Sequence, residues 1–224
     1  MIVRRAVSLA ALAVVVAAAP AFAQSPKVEV SGIFGWTFSD GVTGDPILAG
    51  DGNIYDAIDA ADSFNWGFMI GVNATDNMEV GFLFGQQQST LEISGTATRE
   101  IGDLNVNSYH GYFAYNFGPP DAPIRPYVLG GIGATNYGGV DFTVGGVSGT
   151  TDSSTRFSTT WGGGVKIFPA PRVGVRAGVR WTPTYIKSDA VGWWCDPFWG
   201  CYVVGDAQYA NQFEMSGGVT LRFD

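Results

Sequence analysis

His110 is the only histidine in the chain, and Ser108 stands two positions before it. A spacing of two puts both side chains on one face of an extended strand, where a general base beside a hydroxyl nucleophile could do acyl chemistry. Arg176 and Arg180, four apart, share a face by the same rule, and Glu214 on a later strand is placed to meet Arg180. Charges grouped in this way either line a conducting path or lock a filled interior, and unpaired burial is costly enough to favour pairing. Cys195 and Cys201 lie close together, with no histidine or third cysteine near them. Their chemistry is therefore read as a disulfide rather than a metal site. Asp40, Asp45, Asp51, Asp56, Asp59 and Asp62 crowd one segment, but lack the regular oxygen spacing and closing bidentate acid of a calcium loop. That segment is read as solvated and acidic. Divalent ions bridging it to an anionic surface are conceivable, but no metal site or cofactor is assigned.

The elements that must position these groups repeat one pattern eight times. Runs of alternating apolar and polar residues occupy 27–38, 64–74, a run from Met78, 104–117, 124–137, 156–168, a run from Val173, and 208–223. Period two marks strands whose two faces meet different surroundings. One face is aromatic and aliphatic: Phe34, Trp36 and Phe38 in the first run, Trp66, Phe68 and Ile70 in the second, Phe113 and Tyr115 in the fourth. The other is small and polar. In the seventh run Val173, Val175, Val179 and Trp181 face one way, and Arg172, Arg176, Arg180 and Thr182 the other. The glycine-rich fifth run leaves its faces open. Linkers alternate, short at 75–77, 118–123 and 169–171 and long at 39–63, 93–103, 138–154 and 184–207. An even number of strands lets the first pair antiparallel with the last and removes the edges that lipid would not tolerate. The fold class expected is all-β: an eight-stranded, antiparallel, up-and-down transmembrane β-barrel, with all long loops on one side, the extracellular one. Ser108 and His110 then fall in the lumen, opposite Tyr109.

The first 23 residues read as a secretory signal: Arg4 and Arg5, an apolar run to Ala18, and Ala21-Phe22-Ala23 before the cut. The apolar run is too short to span a bilayer as a helix. Residues 1–23 are thus a signal peptide and 24–224 one barrel domain, with nothing following the last strand. The net charge of −8 disfavours nucleic acid as a partner. The 32 glycines suit close approach of strands in a narrow barrel.

These features resemble the small OmpA/OmpX-like outer-membrane β-barrel family over essentially the whole chain. Arg125-Pro126-Tyr127-Val128 with Gly130-Gly131-Ile132-Gly133 is similar to that family's fifth strand. Trp161-Gly162-Gly163-Gly164-Val165 and Val173-Gly174-Val175-Arg176 are similar to its sixth and seventh. Ser216, Gly218, Leu221 and Phe223 resemble the C-terminal signal read by the barrel assembly machinery, although Asp224 follows the final aromatic. The resemblance implies a bacterial outer-membrane location, contact with lipid and lipopolysaccharide, and a monomer.

Function is less legible, because this architecture hosts several. Trp193, Trp194, Phe198, Trp199 and Tyr202, clustered about the two cysteines, form the sharpest candidate for a partner-binding loop. They could equally fold inward as a lid or extend an interfacial girdle. The expected function is non-enzymatic, structural or surface-interacting through extracellular loops. One alternative is a narrow pore or transporter for small solutes, although eight strands leave little room beyond side chains. Another is a lipid A-modifying enzyme, but a histidine in the lumen is poorly placed to act on lipid.

Overall fold

The structure is a computed structural model describing residues 28–48, 52–144, 147–186, 195–196, 200–201 and 208–223. The signal-peptide reading of residues 1–23 and the loop aromatics Trp193, Trp194, Phe198, Trp199 and Tyr202 lie outside them.

Among the described residues fourteen strands follow one another: β1 Val28–Asp40, β2 Val42–Leu48, β3 Ile54–Ala60, β4 Ser63–Asn73, β5 Met78–Gly95, β6 Arg99–Asn116 and β7 Ile124–Tyr137. Then come β8 Asp141–Val144, β9 Val147–Thr150, β10 Ser154–Ile167, β11 Val173–Ile186, β12 Cys195–Asp196, β13 Gly200–Cys201 and β14 Gln208–Phe223. Eight of them, β1, β4, β5, β6, β7, β10, β11 and β14, pair antiparallel with their neighbours in that order. β14 returns to β1 from Val28↔Phe223 to Asp40↔Asn211 and closes the barrel.

Alternation decides what each face meets. Phe34, Trp66, Phe82, Phe113, Trp161, Val179 and Phe213 all stand exposed on the outside. An outer surface this apolar is stable only against lipid. Rings interlock across strands on that face: Trp181 stacks on Phe213 with centroids 6.1 Å apart, and Phe84 lies 5.3 Å from Tyr109. In the glycine-rich β7, Arg125, Tyr127, Leu129, Thr135 and Tyr137 turn inward, which settles the faces the sequence left open.

Two expectations need correction. The segment 93–103 is not a long linker: β5 runs to Gly95, β6 starts at Arg99, and the strands stay paired as far as Ile93↔Arg99. Likewise 39–63 holds β2 and β3, with β3 pairing the far end of β5 where β4 has stopped. The wall thus continues past the aromatic band at the long-loop end. Arg172 is exposed in the turn before β11, not on its lumen face, because the strand's alternation starts one residue later.

The short turns are tied to the wall. Asn77 donates its amide to the carbonyls of Asn116 and Gly118, and Arg125 Nη2 donates to Asp76 O at 2.6 Å. Gly118, with φ +84°, supplies the left-handed residue that the turn into Pro119-Pro120 requires.

Candidate functional site: a lumen in layers

Glu29, Glu79 and Arg125 are second in their strands, while Lys166 and Arg222 are next to last in theirs. In an up-and-down barrel all five therefore fall at the short-turn end, and all point inward. Lys166 Nζ donates to Glu29 Oε2 at 2.6 Å and to Glu79 Oε2 at 2.5 Å. Arg222 Nη2 donates to Glu29 Oε1 at 2.8 Å, and its guanidinium lies 4.0 Å from the centre of the Phe168 ring. Tyr112 and Asn116 give Glu79 two further donors, at 2.6 and 3.2 Å. Two cations meet two carboxylates whose four oxygens each accept at least one hydrogen bond, the condition under which a buried cluster is tolerated. A Cβ on Gly71 or Gly81 would overlap Tyr112 or Glu79, so these glycines make the room. Glu29, Glu79, Tyr112, Asn116, Arg125 and Lys166 are all 3% exposed or less, which leaves no wet gap at this level.

Arg176 stacks 4.8 Å from the centre of the Tyr127 ring and donates to Ser31 Oγ at 3.3 Å. One layer further, Arg180 faces Glu214 in register and its Nη2 donates to that carboxylate. Arg180 and Glu214 thus form a pair, while Arg176 belongs to the layer below. His110 is fully buried in the lumen, and its Nε2 bonds Ser158 Oγ at 2.9 Å, not Ser108. Ser158 accepts from Thr135, which accepts from Thr184. Ser108 instead points to Gly85 O at 3.4 Å. His110 and Ser158 are both buried, and among the described residues no carboxylate orients the ring, so the pair lacks the arrangement of an activated serine. Alternation alone puts Glu29 and Lys166 on the inward face, but their cluster and the bond from His110 to Ser158 are not expected from the sequence.

Above this level the lining changes. Val42, Ile58, Leu91, Leu104, Ile186 and Ala210 line a small chamber of about 30 Å³ at the long-loop end, together with the polar Asp40, Asp59 and Gln212, and it is partly open to solvent. The hydrophobic face has switched sides. On β6, Tyr109, Phe113 and Tyr115 point outward, whereas Leu104 and Val106 point inward.

Of the acidic segment, Asp40, Asp56, Asp59 and Asp62 sit at the rim, beyond the aromatic band, while Asp51 lies outside the described residues. Asp59 faces Glu92 across β3 and β5, and Asp62 accepts from the Ser39 amide at 2.9 Å. Among the described residues no group of three His, Cys, Asp or Glu is arranged to hold a metal ion. Burial holds the Asp59 carboxyl above its ordinary range, reinforced by Glu92, Asp62 and Asp40. A raised carboxylate releases its proton more readily when unfolded, so its cost is absent below the ordinary value and grows as pH rises through the raised one. Asp59→Asn should therefore increase hydrogen-exchange protection of β3 at neutral pH and change nothing well below the ordinary aspartate range. Equal protection of both proteins at neutral pH would refute the repulsion.

At the C-terminus, Leu221 and Phe223 are exposed on the lipid face of β14, while Ser216 and Gly218 are covered. The two-residue strands β12 and β13 place Cys195 opposite Cys201.

The comparisons agree with this architecture. No curated protein matches the chain. Among solved structures, OprG from Pseudomonas aeruginosa is 12% identical, covers 89% of this chain and 97% of its own, and superposes with a TM-score of 0.62. Neisserial surface protein A gives 16%, 89%, 98% and 0.53, and AlkL in lipid bilayers 14%, 92%, 93% and 0.55. At such identities the likeness shows the fold alone. The model of the outer membrane protein beta-barrel domain matches residues 9–223, and the chain belongs to that family.

Proposed function

We propose that this is a non-enzymatic outer-membrane barrel closed across its membrane half, which works from its extracellular end by admitting small apolar solutes into the mouth chamber. The observation that carries this reading is the change of lining from ion-paired to largely apolar, with Asp40 and Asp59 at its edge, at the height where the wall leaves the aromatic band. An inward apolar layer opening towards water has affinity for apolar molecules small enough to enter. Methyl-labelled protein in lipid nanodiscs, equilibrated with xenon as a small apolar probe, should shift the methyls of Ile58, Leu91, Leu104 and Ile186 more than those of the lipid-facing Val179 and Val219. Ala210→Phe should abolish those shifts by filling the chamber. Shifts confined to lipid-facing methyls would contradict the reading.

The surface-interacting reading is favoured by one separate observation, the register that sets Cys195 opposite Cys201. A disulfide there closes a ring too small to stabilise the barrel much, but it would hold the intervening aromatic segment in one shape. Replacing both cysteines with serine should leave the barrel's melting nearly unchanged and lower any surface affinity of that loop. Titratable thiols in unreduced protein would refute the bridge.

A further inference from the structure

Arg180 borders a small polar cavity of about 20 Å³, lined also by Gly85, Gln87, Ser108, Thr182 and Glu214. The Arg180 side chain is 9% exposed, and its Nη2 donates to Glu214. Its Nε and Nη1 are buried with no hydrogen-bond partner among the described residues. Buried guanidinium donors left unmatched are uncommon, and each carries a desolvation cost that an acceptor relieves. The polar groups nearby are engaged with one another. Gln212 Nε2 donates to Gln87 Oε1 at 2.7 Å, and the hydroxyls of Thr160 and Thr182 are bonded at 3.3 Å.

We infer that this cavity is a binding site for internal water, one or two molecules that accept from the free donors of Arg180 and complete its layer with Glu214. Size and charge both select water. A buried water needs about 10–15 Å³ of such space and roughly two to four polar partners. The cavity has that space for one water, or for two in contact, and not for a polyatomic ligand. Arg180 and Glu214 already balance each other, so an ion of either sign would be opposed by one of them. A halide would accept from the guanidinium but could donate nothing to the carboxylate. Water does both: it accepts from Arg180 and donates to Glu214, Ser108 or Thr182, which line the same space. Gly85 makes the room, since a Cβ there would lie 2.8 Å from Ser108 Oγ and 3.2 Å from Arg180 Nη2. The lumen is then filled in two ways along its height. Side chains alone close the layer of Glu29, Glu79 and Lys166, whereas bound water completes the layer of Arg180. Water-mediated bonds are nearly as good in enthalpy as direct ones, so Arg180 can stay buried and charged with a single carboxylate.

The test is a crystal structure of the wild-type protein, at a resolution that shows ordered water, from crystals grown in sodium bromide. One or two density peaks should lie within hydrogen-bond distance of Arg180 Nε or Nη1, without anomalous signal from bromide. A bromide peak there would make this an anion site, and no density beside the two donors would make the layer dry; either result overturns the inference. A solution readout uses the protein in nanodiscs. The Arg180 Nε–H should show a rotating-frame Overhauser cross peak to water, with the sign of a dipolar contact and not of exchange. Gly85→Ala puts a methyl group into the cavity and should weaken that peak severalfold, while the shift in gel mobility of the unheated sample is kept. Absence of the peak in the wild type, or full strength in a folded Gly85→Ala, would likewise refute the site.

Discussion

Lys166→Met should cost the barrel about 3–5 kcal/mol, the penalty for leaving buried charge uncompensated. Among the described residues Lys166 is the only cation in direct ion-pair contact with Glu79 and one of two holding Glu29. Removing it leaves Glu79 with Tyr112 and Asn116 as donors but no counter-charge. The second change Glu79→Gln should recover most of the loss, because Glu29 and Arg222 then remain as a neutral pair, the new amide oxygen accepts from Tyr112, and its NH2 donates to an Asn116 side chain turned to present its oxygen. Guanidinium titrations of both variants in lipid vesicles, followed by tryptophan fluorescence, measure this. A single variant as stable as wild type would mean that the cluster is hydrated and the lumen not closed there. A double variant no better than the single one would mean that packing around the lysine stem, not charge, carries the effect.

The second large effect concerns the outer wall. Val179 stands 57% exposed between Met215 on β14 and Gly163 on β10, with no polar group beside it on that face. Val179→Arg should cost roughly 2–4 kcal/mol, as expected for a cation near the bilayer midplane. Val175→Arg should cost less. Val175 is only two residues from the short-turn end of β11, where an arginine can extend its head group to the interface. Arg176 and Arg180 on the same strand are tolerated because alternation turns them inward. The measurement is the fraction folding, read as the shift in gel mobility of unheated samples, together with the unfolding midpoint. Equal and negligible costs at the two positions would remove this strand from the lipid boundary.

The barrel was legible because lipid on one side and a polar interior on the other write the same alternation into every strand. Phe34 and Trp36 against Glu29 and Ser31 make the case for β1, and the ends of β7 and β14 fall where the pattern stops. Legibility failed where lipid ends. In β5 beyond Gln87 and in β6 before Val106 the outer face meets water, so the aromatic signal vanishes although the strands continue. Residues 93–103 then read as a linker, and nothing marks Leu91, Leu104 and Val106 as an inverted inner face. The Arg180–Glu214 pair could be anticipated because β11 and β14 are neighbours with an obvious register. The Glu29–Lys166–Glu79 cluster joins strands that do not touch, across the lumen, and no local spacing announces it. Ser158 as the partner of His110 was hidden for the same reason: sequence proximity favoured Ser108, whereas the lumen joins strands four dozen residues apart.

The most direct test of a barrel closed in its membrane half is the current through purified wild-type protein in planar bilayers. Insertion should leave the baseline without stable ohmic steps, because the layer of Glu29, Glu79, Tyr112, Arg125 and Lys166 fills the lumen at the short-turn end. Reproducible, voltage-independent steps from the wild-type protein would contradict the closure and make the narrow-pore alternative the better description of this molecule.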